Sequence, residues 1–104
     1  MNISDEELRQ AARLRVAHLF NLDLKAITDQ MVFGEYLKAS FVSNFKDNEF
    51  NKLDHDIRDV ADHHILKKLS SGALDIRTVG DYCEHMVRCY SAKPEDVMRL
   101  LLVR

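Results

Sequence analysis

The sequence predicts an all-α fold, a helical bundle built as one domain. The chain has 104 residues, and its 3 glycines and 1 proline are too few for the turns that many short strands need. Apolar residues recur three and four positions apart, which places them on one face of a helix. Hydrophobic residues make up 46% of the chain, enough for one core, and the length leaves no room for a second. We therefore expect residues 1–104 to form a single helical domain.

The first helix is predicted to begin after Ser4. Ser4 is a good N-cap, Glu7 completes a capping box with it, and acidic residues fill the positive first turn. The apolar stripe of this helix consists of Leu8, Ala11, Ala12, Val16, Leu19 and Phe20. On the opposite side, Arg9, Gln10 and Arg13 are expected to face water.

A long connection follows the first helix, from Asn21 to Asp29. Its apolar residues Leu22, Leu24 and Ile27 are expected to anchor the connection to the bundle. The next apolar cluster, from Met31 to Leu37, predicts a short helical turn.

Two further helices are predicted in the middle of the chain. Ser40 offers an N-cap for the second helix. From Leu53 to Leu69, apolar residues keep a helical spacing, which predicts one continuous third helix. Ser70, Ser71 and Gly72 are small residues that would end it.

The last two helices have distinct start signals. Thr78 and Asp81 form a capping box that begins the fourth helix. Pro94 occupies the first helical position of a fifth, followed by Glu95 and Asp96 in the positive first turn. The prediction is thus a four-helix bundle over about residues 5–90 with an additional short C-terminal helix over about residues 94–103.

Charge argues against a nucleic-acid partner. The formal net charge is -2 at pH 7, whereas nucleic-acid binders concentrate Lys and Arg. Residues 35–64 carry seven acidic and four basic residues, and residues 65–104 carry five acidic and seven basic ones. The acidic middle would attract a basic protein partner, or it is simply the solvated face of a helix.

The two cysteines indicate a reducing compartment. Cys83 and Cys89 are six residues apart on a predicted helix, which places them on different sides and too far apart for a disulfide. Two free thiols, most simply buried structural ones, are typical of a cytoplasmic protein. We also find no secretion signal and no apolar run long enough for a membrane span, so a cytoplasmic location without a membrane partner is expected.

No enzyme motif stands out in the sequence. There is no phosphate-binding glycine loop, nucleophile elbow or recognisable Cys–His pairing, so we expect no catalytic residue. His55, Asp59, Asp62 and His63 lie close to one face of the predicted third helix, which would suit a metal ion. Because no second element offers matching ligands, a solvated helix face is the simpler interpretation, and no metal is expected.

Two stretches resemble the acyl carrier protein family. The segment from Leu24 to Phe41 is similar to the carrier pattern of Val-Thr, two polar residues, Phe, an acid and Leu-Gly-Ala-Asp-Ser-Leu. The matching positions are Thr28, Phe33, Glu35, Leu37 and Ala39. The segment from Ile76 to Tyr82 is similar to the Ile-Thr-Thr-Val start of the last carrier helix. The resemblance covers roughly residues 5–90 and implies an acyl-carrier-like four-helix bundle.

The resemblance also implies a prosthetic group and partner proteins. Ser40 corresponds to the serine that carries phosphopantetheine, and the acidic second helix of a carrier docks basic partner enzymes. A phosphate at this position would be favoured by the positive end of the helix. The sequence departs from the family motif in three ways: Lys38 replaces the glycine, the aspartate before the serine is missing so that Ala39 directly precedes Ser40, and Phe41 replaces the leucine. The alternative is that Ser40 is an ordinary N-cap without an attached group.

A second interpretation is a regulatory or structural helical module that binds another protein. Its contact residues would be the aromatic side chains Phe41, Phe45, Phe50 and Tyr90. Such a patch predicts a dimer, whereas a carrier is expected to be a monomer.

Overall fold

A computed structural model describes residues 3–34 and 49–102, and this part of the chain is helical without a named strand. Its helices are α1 (Asp5–Phe20), α2 (Glu49–Asp59), α3 (His63–Ser71), α4 (Val79–Tyr90) and α5 (Pro94–Leu102). The connection after α1 contains a 3₁₀ turn at Leu24–Ala26. The predicted all-α class and the C-terminal helix are therefore confirmed. Within the described residues, no helix has the length and apolar character to cross a membrane.

The core lies between α1 and α4, with α2 and α5 packed on both of them. From α1 the core takes Leu8, Ala12 and Val16, and from α4 it takes Tyr82 and Met86, all at most 1% exposed. Within each helix these residues recur at four-residue intervals, so each helix turns one continuous stripe toward the other.

The predicted capping boxes are present in α1 and α4. The Ser4 hydroxyl accepts a hydrogen bond from the Glu7 amide at 3.1 Å, and the Glu7 carboxylate accepts one from the Ser4 amide. Thr78 and Asp81 make the same reciprocal pair at the start of α4. Both helices consequently begin where the local sequence predicts.

The prediction of one continuous helix from Leu53 to Leu69 is wrong, because α2 ends at Asp59 and α3 begins at His63. Asp62 caps α3, since its Oδ1 accepts a hydrogen bond from the Ile65 amide at 2.9 Å. The residues of the break, Val60 and Ala61, are buried, so the break is a packed corner.

Side chains from elsewhere close the C-terminal end of α2. The Ile57 carbonyl accepts a hydrogen bond from His85 Nε2 at 2.8 Å, and the Asp59 carbonyl accepts one from Lys93 Nζ at 3.1 Å. A helix end leaves its last carbonyls without intrahelical partners. His85 and Lys93 donate hydrogen bonds to two of these carbonyls, and this lowers the free-energy cost of ending the helix at Asp59.

The connection after α1 also differs from its prediction. Met31 to Gly34 form no helical turn, because Val32 makes an antiparallel bridge with Thr78. Of the three expected apolar anchors only Ile27 is buried, while Leu22 and Leu24 are 43% and 37% exposed. The predicted second helix from Ser40, and the rest of the predicted turn at residues 35–37, lie outside the described residues.

Candidate functional site

Ser40, the predicted attachment residue, lies outside the described residues, but the segment leading toward it is described as far as Gly34. This segment pairs with the residues that begin α4. The Phe33 amide donates to the Arg77 carbonyl at 2.8 Å, and the Val79 amide donates to the Met31 carbonyl at 3.0 Å. The two stretches that carry the family resemblance are therefore in direct contact. We call this contact the loop junction.

Asp29 fastens the loop junction to two helices. Its carbonyl accepts a hydrogen bond from the Gly80 amide at 2.9 Å, and its carboxylate accepts two from the Arg13 guanidinium, at 2.8 and 3.2 Å. The hydrogen bonds from Arg13 lower the pKa of Asp29. Arg13 was expected to face water, yet its side chain is only 18% exposed, because it spans the gap between α1 and the connection.

Gly80 allows the connection to come this close to α4. A Cβ atom at residue 80 would lie 3.2 Å from both the Cβ and the carbonyl oxygen of Asp29. On the opposite side of the connection, the ring of Phe33 stacks on Phe20 at the end of α1, with 6.1 Å between the ring centroids. The connection is thus held by α1 and by α4.

Asp56 is the centre of a buried polar cluster that the sequence analysis missed. It is 3% exposed, and its carboxylate accepts hydrogen bonds from Arg15 Nε at 2.9 Å, Arg15 Nη2 at 3.0 Å and the Tyr82 hydroxyl at 2.9 Å. Burial and the neighbouring Asp56 charge raise the pKa of Tyr82 well above its ordinary value. The position of Asp56, three residues after Leu53 and four before Val60, places it on the apolar face and could have revealed it.

Fewer acidic side chains of α2 and α3 are exposed and unpaired than the sequence suggests. Asp56 is buried and Asp62 caps α3, so both carboxylates are used within the fold. Asp54 and Asp59 are exposed, and Asp54 pairs with Arg58 at 3.0 Å on the same helix. In the described part of α2 and α3, this leaves little unpaired negative charge for a partner.

The residues considered for a metal do not converge. Among residues 3–34 and 49–102, no three His, Cys, Asp or Glu side chains are arranged to hold an ion. His55, Asp59 and His63 are exposed, and the helix break at residues 60–62 separates the first two from the third.

The two cysteines are free and buried, as the sequence predicts. Burial raises the pKa of both thiols to about 11, so neither is a thiolate at neutral pH. Cys89 Sγ lies 3.6 Å from His85 Nε2, which donates its hydrogen to the Ile57 carbonyl, and 3.8 Å from His85 Nδ1. Because burial raises the pKa of Cys89 to about 11, this thiol is not the activated thiolate that nucleophilic catalysis requires.

A cleft of about 510 Å³ lies between the C-terminal half of α1, the turn after it, and α5. Among the described residues, its apolar lining consists of Leu14, Ala17, Leu22, Leu100 and Leu101. Its polar lining consists of Arg15, His18 and Asn21. The cleft was not evident from the sequence, because its walls come from both ends of the chain.

Comparison with known proteins returns no relative: no protein-family model matches the chain, and no curated protein or solved structure matches it significantly.

Proposed function

We propose that the protein is an acyl-carrier-like domain that carries an acyl group on phosphopantetheine attached to Ser40, or docks partner enzymes through the same fold. The loop junction is the observation that supports this proposal. A carrier needs a long connection after its first helix that stays fixed to the bundle, so that the attachment residue is presented at a constant place. Thr28 and Phe33 in the connection, and Thr78 at the start of α4, are positions of the resemblance.

The described connection has the fixed course that such a role requires. Asn21 ends α1 in a left-handed conformation with φ 55°, which turns the chain out of the helix. Ile27 is then buried, Asp29 pairs with Arg13, and Phe33 hydrogen-bonds to Arg77. These contacts anchor the chain up to seven residues before Ser40.

The chemistry of the described residues favours a carrier over an enzyme. The buried thiols are protonated at neutral pH, and all the charged groups of the Asp56 cluster are engaged with one another. A carrier requires no reactive group of its own beyond one serine hydroxyl. A transferase joins this oxygen to the phosphopantetheine phosphate of coenzyme A, and cleavage of the pyrophosphate bond releases adenosine 3′,5′-bisphosphate.

Intact mass spectrometry tests the loaded form. The purified protein is incubated with coenzyme A and a broad-specificity phosphopantetheinyl transferase, and we expect its mass to increase by one phosphopantetheine group. Ser40→Ala should abolish the increase, and Ser43→Ala, three residues further along the chain, should retain it. An unchanged wild-type mass excludes Ser40 as an attachment site for that transferase, and an increase in Ser40→Ala refutes the assignment.

A docking module without a prosthetic group is the second candidate. The aromatic residues that first suggested it fall outside the described side chains, except for Tyr90, which is half-buried. The observation that favours it is instead the exposed leucines beside the cleft, Leu14 and Leu22. Size-exclusion chromatography with light scattering separates a monomer, expected for either a carrier or a hetero-docking module, from a self-associating dimer.

A further inference from the structure

We infer that the solvent-facing side of α3 is a docking surface for an acidic segment of a partner protein, which it binds through the unpaired ammonium groups of Lys67 and Lys68. The inference goes beyond the proposed function. It depends neither on Ser40 nor on phosphopantetheine, because every residue of this surface belongs to α3.

The helix α3 divides into one apolar and one polar face. Ile65 is buried, and Leu66 and Leu69 are half-buried against the core. At about 3.6 residues per turn, the remaining positions fill one continuous arc on the opposite side. We call this arc the outer face of α3, and its residues are all exposed: His63, His64, Lys67, Lys68, Ser70 and Ser71.

The outer face contains no acidic residue. The acids nearest in sequence are Asp62 and Asp75, and both are already engaged. Asp62 accepts a hydrogen bond from the Ile65 amide, and Asp75 pairs with Arg77. Lys67 and Lys68 therefore have no carboxylate three or four positions away, which is the spacing at which ion pairs form along a helix.

Most other basic side chains have acidic partners. Among residues 3–34 and 49–102, every arginine except Arg88 forms an ion pair, and so does Lys93. Lys67 and Lys68 form none with any described residue, although they are adjacent. An ammonium group without an internal partner can bind a carboxylate from outside without breaking an existing ion pair, so these two charges are available to a partner.

The surface beside Lys67 is concave. A depression of about 420 Å³ borders α3, and the described residues that line it are His63, Leu66, Lys67, Ser70 and Ser71. Ser70 is three positions after Lys67, so its hydroxyl lies on the same side of the helix as the ammonium group. A carboxylate in this depression can accept hydrogen bonds from both groups, and the bond from the ammonium group is charge-assisted.

The small number of charges favours a protein segment over nucleic acid or a membrane. Nucleic-acid binders neutralise a row of phosphates with many Lys and Arg residues, whereas this chain has a formal net charge of -2. Binding to an anionic membrane takes a polybasic cluster or apolar side chains that enter the bilayer, and the leucines of α3 pack against the core instead. A few complementary charges are sufficient to orient and select a protein partner.

A designed peptide tests this assignment. The probe is a short peptide in which glutamate alternates with serine, and the control peptide has lysine in place of each glutamate. Titration followed by ¹⁵N NMR measures the affinity and maps the contact. We expect the acidic peptide to bind about tenfold more tightly than the basic one and to shift the amide signals of Lys67, Lys68 and Ser70. Added salt should weaken the binding, because exposed charge pairs are screened.

Matched charge reversals locate the surface. Lys67→Glu should weaken binding of the acidic peptide about fivefold or more, because it replaces an attraction by a repulsion. Lys25→Glu is the control, since Lys25 is an exposed lysine in the connection after α1, has no ion pair with a described residue, and its reversal changes the net charge equally. This control should lower the affinity less than about twofold, and Lys67→Arg should retain binding.

Four results would overturn the assignment. They are no binding of the acidic peptide, equal affinity for the two peptides, equal loss in Lys67→Glu and Lys25→Glu, or tighter binding through Lys67 of an oligonucleotide or of phosphatidylserine vesicles. The last result would identify nucleic acid or a membrane as the occupant. Because peptide binding is measured on the unloaded protein, a failure here is distinguishable from a failure of the mass test at Ser40.

Discussion

Replacing Asp56 by alanine removes the acceptor on which two other side chains depend. The Tyr82 hydroxyl, on a residue that is 0% exposed, loses its hydrogen-bond partner, and Arg15 loses both bonds of its ion pair. An orphaned buried hydroxyl costs about 1–3 kcal/mol. Breaking a fully buried ion pair costs about 3–5 kcal/mol, but Arg15 can turn toward water because its side chain is 29% exposed, so its share is much smaller. We expect Asp56→Ala to lower the free energy of unfolding by about 3 kcal/mol in total.

Chemical denaturation followed by circular dichroism measures this loss. Asp54→Ala is the matched control, because Asp54 is an exposed aspartate two residues away whose ion pair with Arg58 has both side chains about 60% exposed. Exposed pairs of this kind contribute about 0–1 kcal/mol. Tyr82→Phe, which removes only the hydroxyl, should fall between the two, near 1 kcal/mol. Equal destabilisation by Asp56→Ala and Asp54→Ala would refute the claim that the buried cluster stabilises the fold.

Three further predictions concern the loop junction and α4. Gly80→Ala should lower the free energy of unfolding by about 1 kcal/mol, because the new Cβ would lie only 3.2 Å from the Asp29 carbonyl oxygen. This cost is expected to exceed the gain from the higher helix propensity of alanine. A variant that is more stable than the wild type in urea denaturation would contradict the close approach. Burial lowers the pKa of His85 below its ordinary 6.5, so at pH values below 6.5 the unfolded chain binds a proton more readily than the folded chain does. The stability that His85 contributes is therefore complete above pH 6.5 and declines as the pH falls below it. Stability measured from pH 8 down to about pH 5, where carboxylates remain ionised, should therefore decrease in the wild type and less steeply in His85→Gln; parallel curves would contradict this. Cys83 and Cys89 should react with a thiol reagent only on unfolding, because they are buried and have pKa values of about 11; fast labelling of the native protein would contradict it.

The elements that the sequence predicts well are those whose signals are local. α1 and α4 begin at capping boxes, and α5 begins at Pro94, so a few neighbouring residues determine each start. The free thiols also follow from the sequence, because the six-residue spacing of Cys83 and Cys89 excludes a disulfide and the surrounding helix is rich in apolar residues.

The features that the sequence did not predict depend on distant residues. The extended course of residues 31–33 comes from pairing with residues 77–79, more than forty positions later. Asp56 was counted with the exposed acids, because its partner Arg15 lies 41 residues away and the hydrogen bonds between them are invisible in the local pattern. The cleft joins α1 to α5 and so requires knowledge of how the two ends of the chain meet.

The corner between α2 and α3 is stabilised by side chains from distant parts of the chain. The carbonyls of Ile57 and Asp59 accept hydrogen bonds from side chains 28 and 34 positions further along, so these two bonds form only when α4 and the turn after it are in place. A fragment covering residues 49–71 alone lacks both groups, and its apolar spacing favours continuing the helix through residues 60–62. The bend therefore depends on the assembled bundle as well as on the local Asp62 cap of α3, and we expect substitutions that displace His85 or Lys93 to destabilise it.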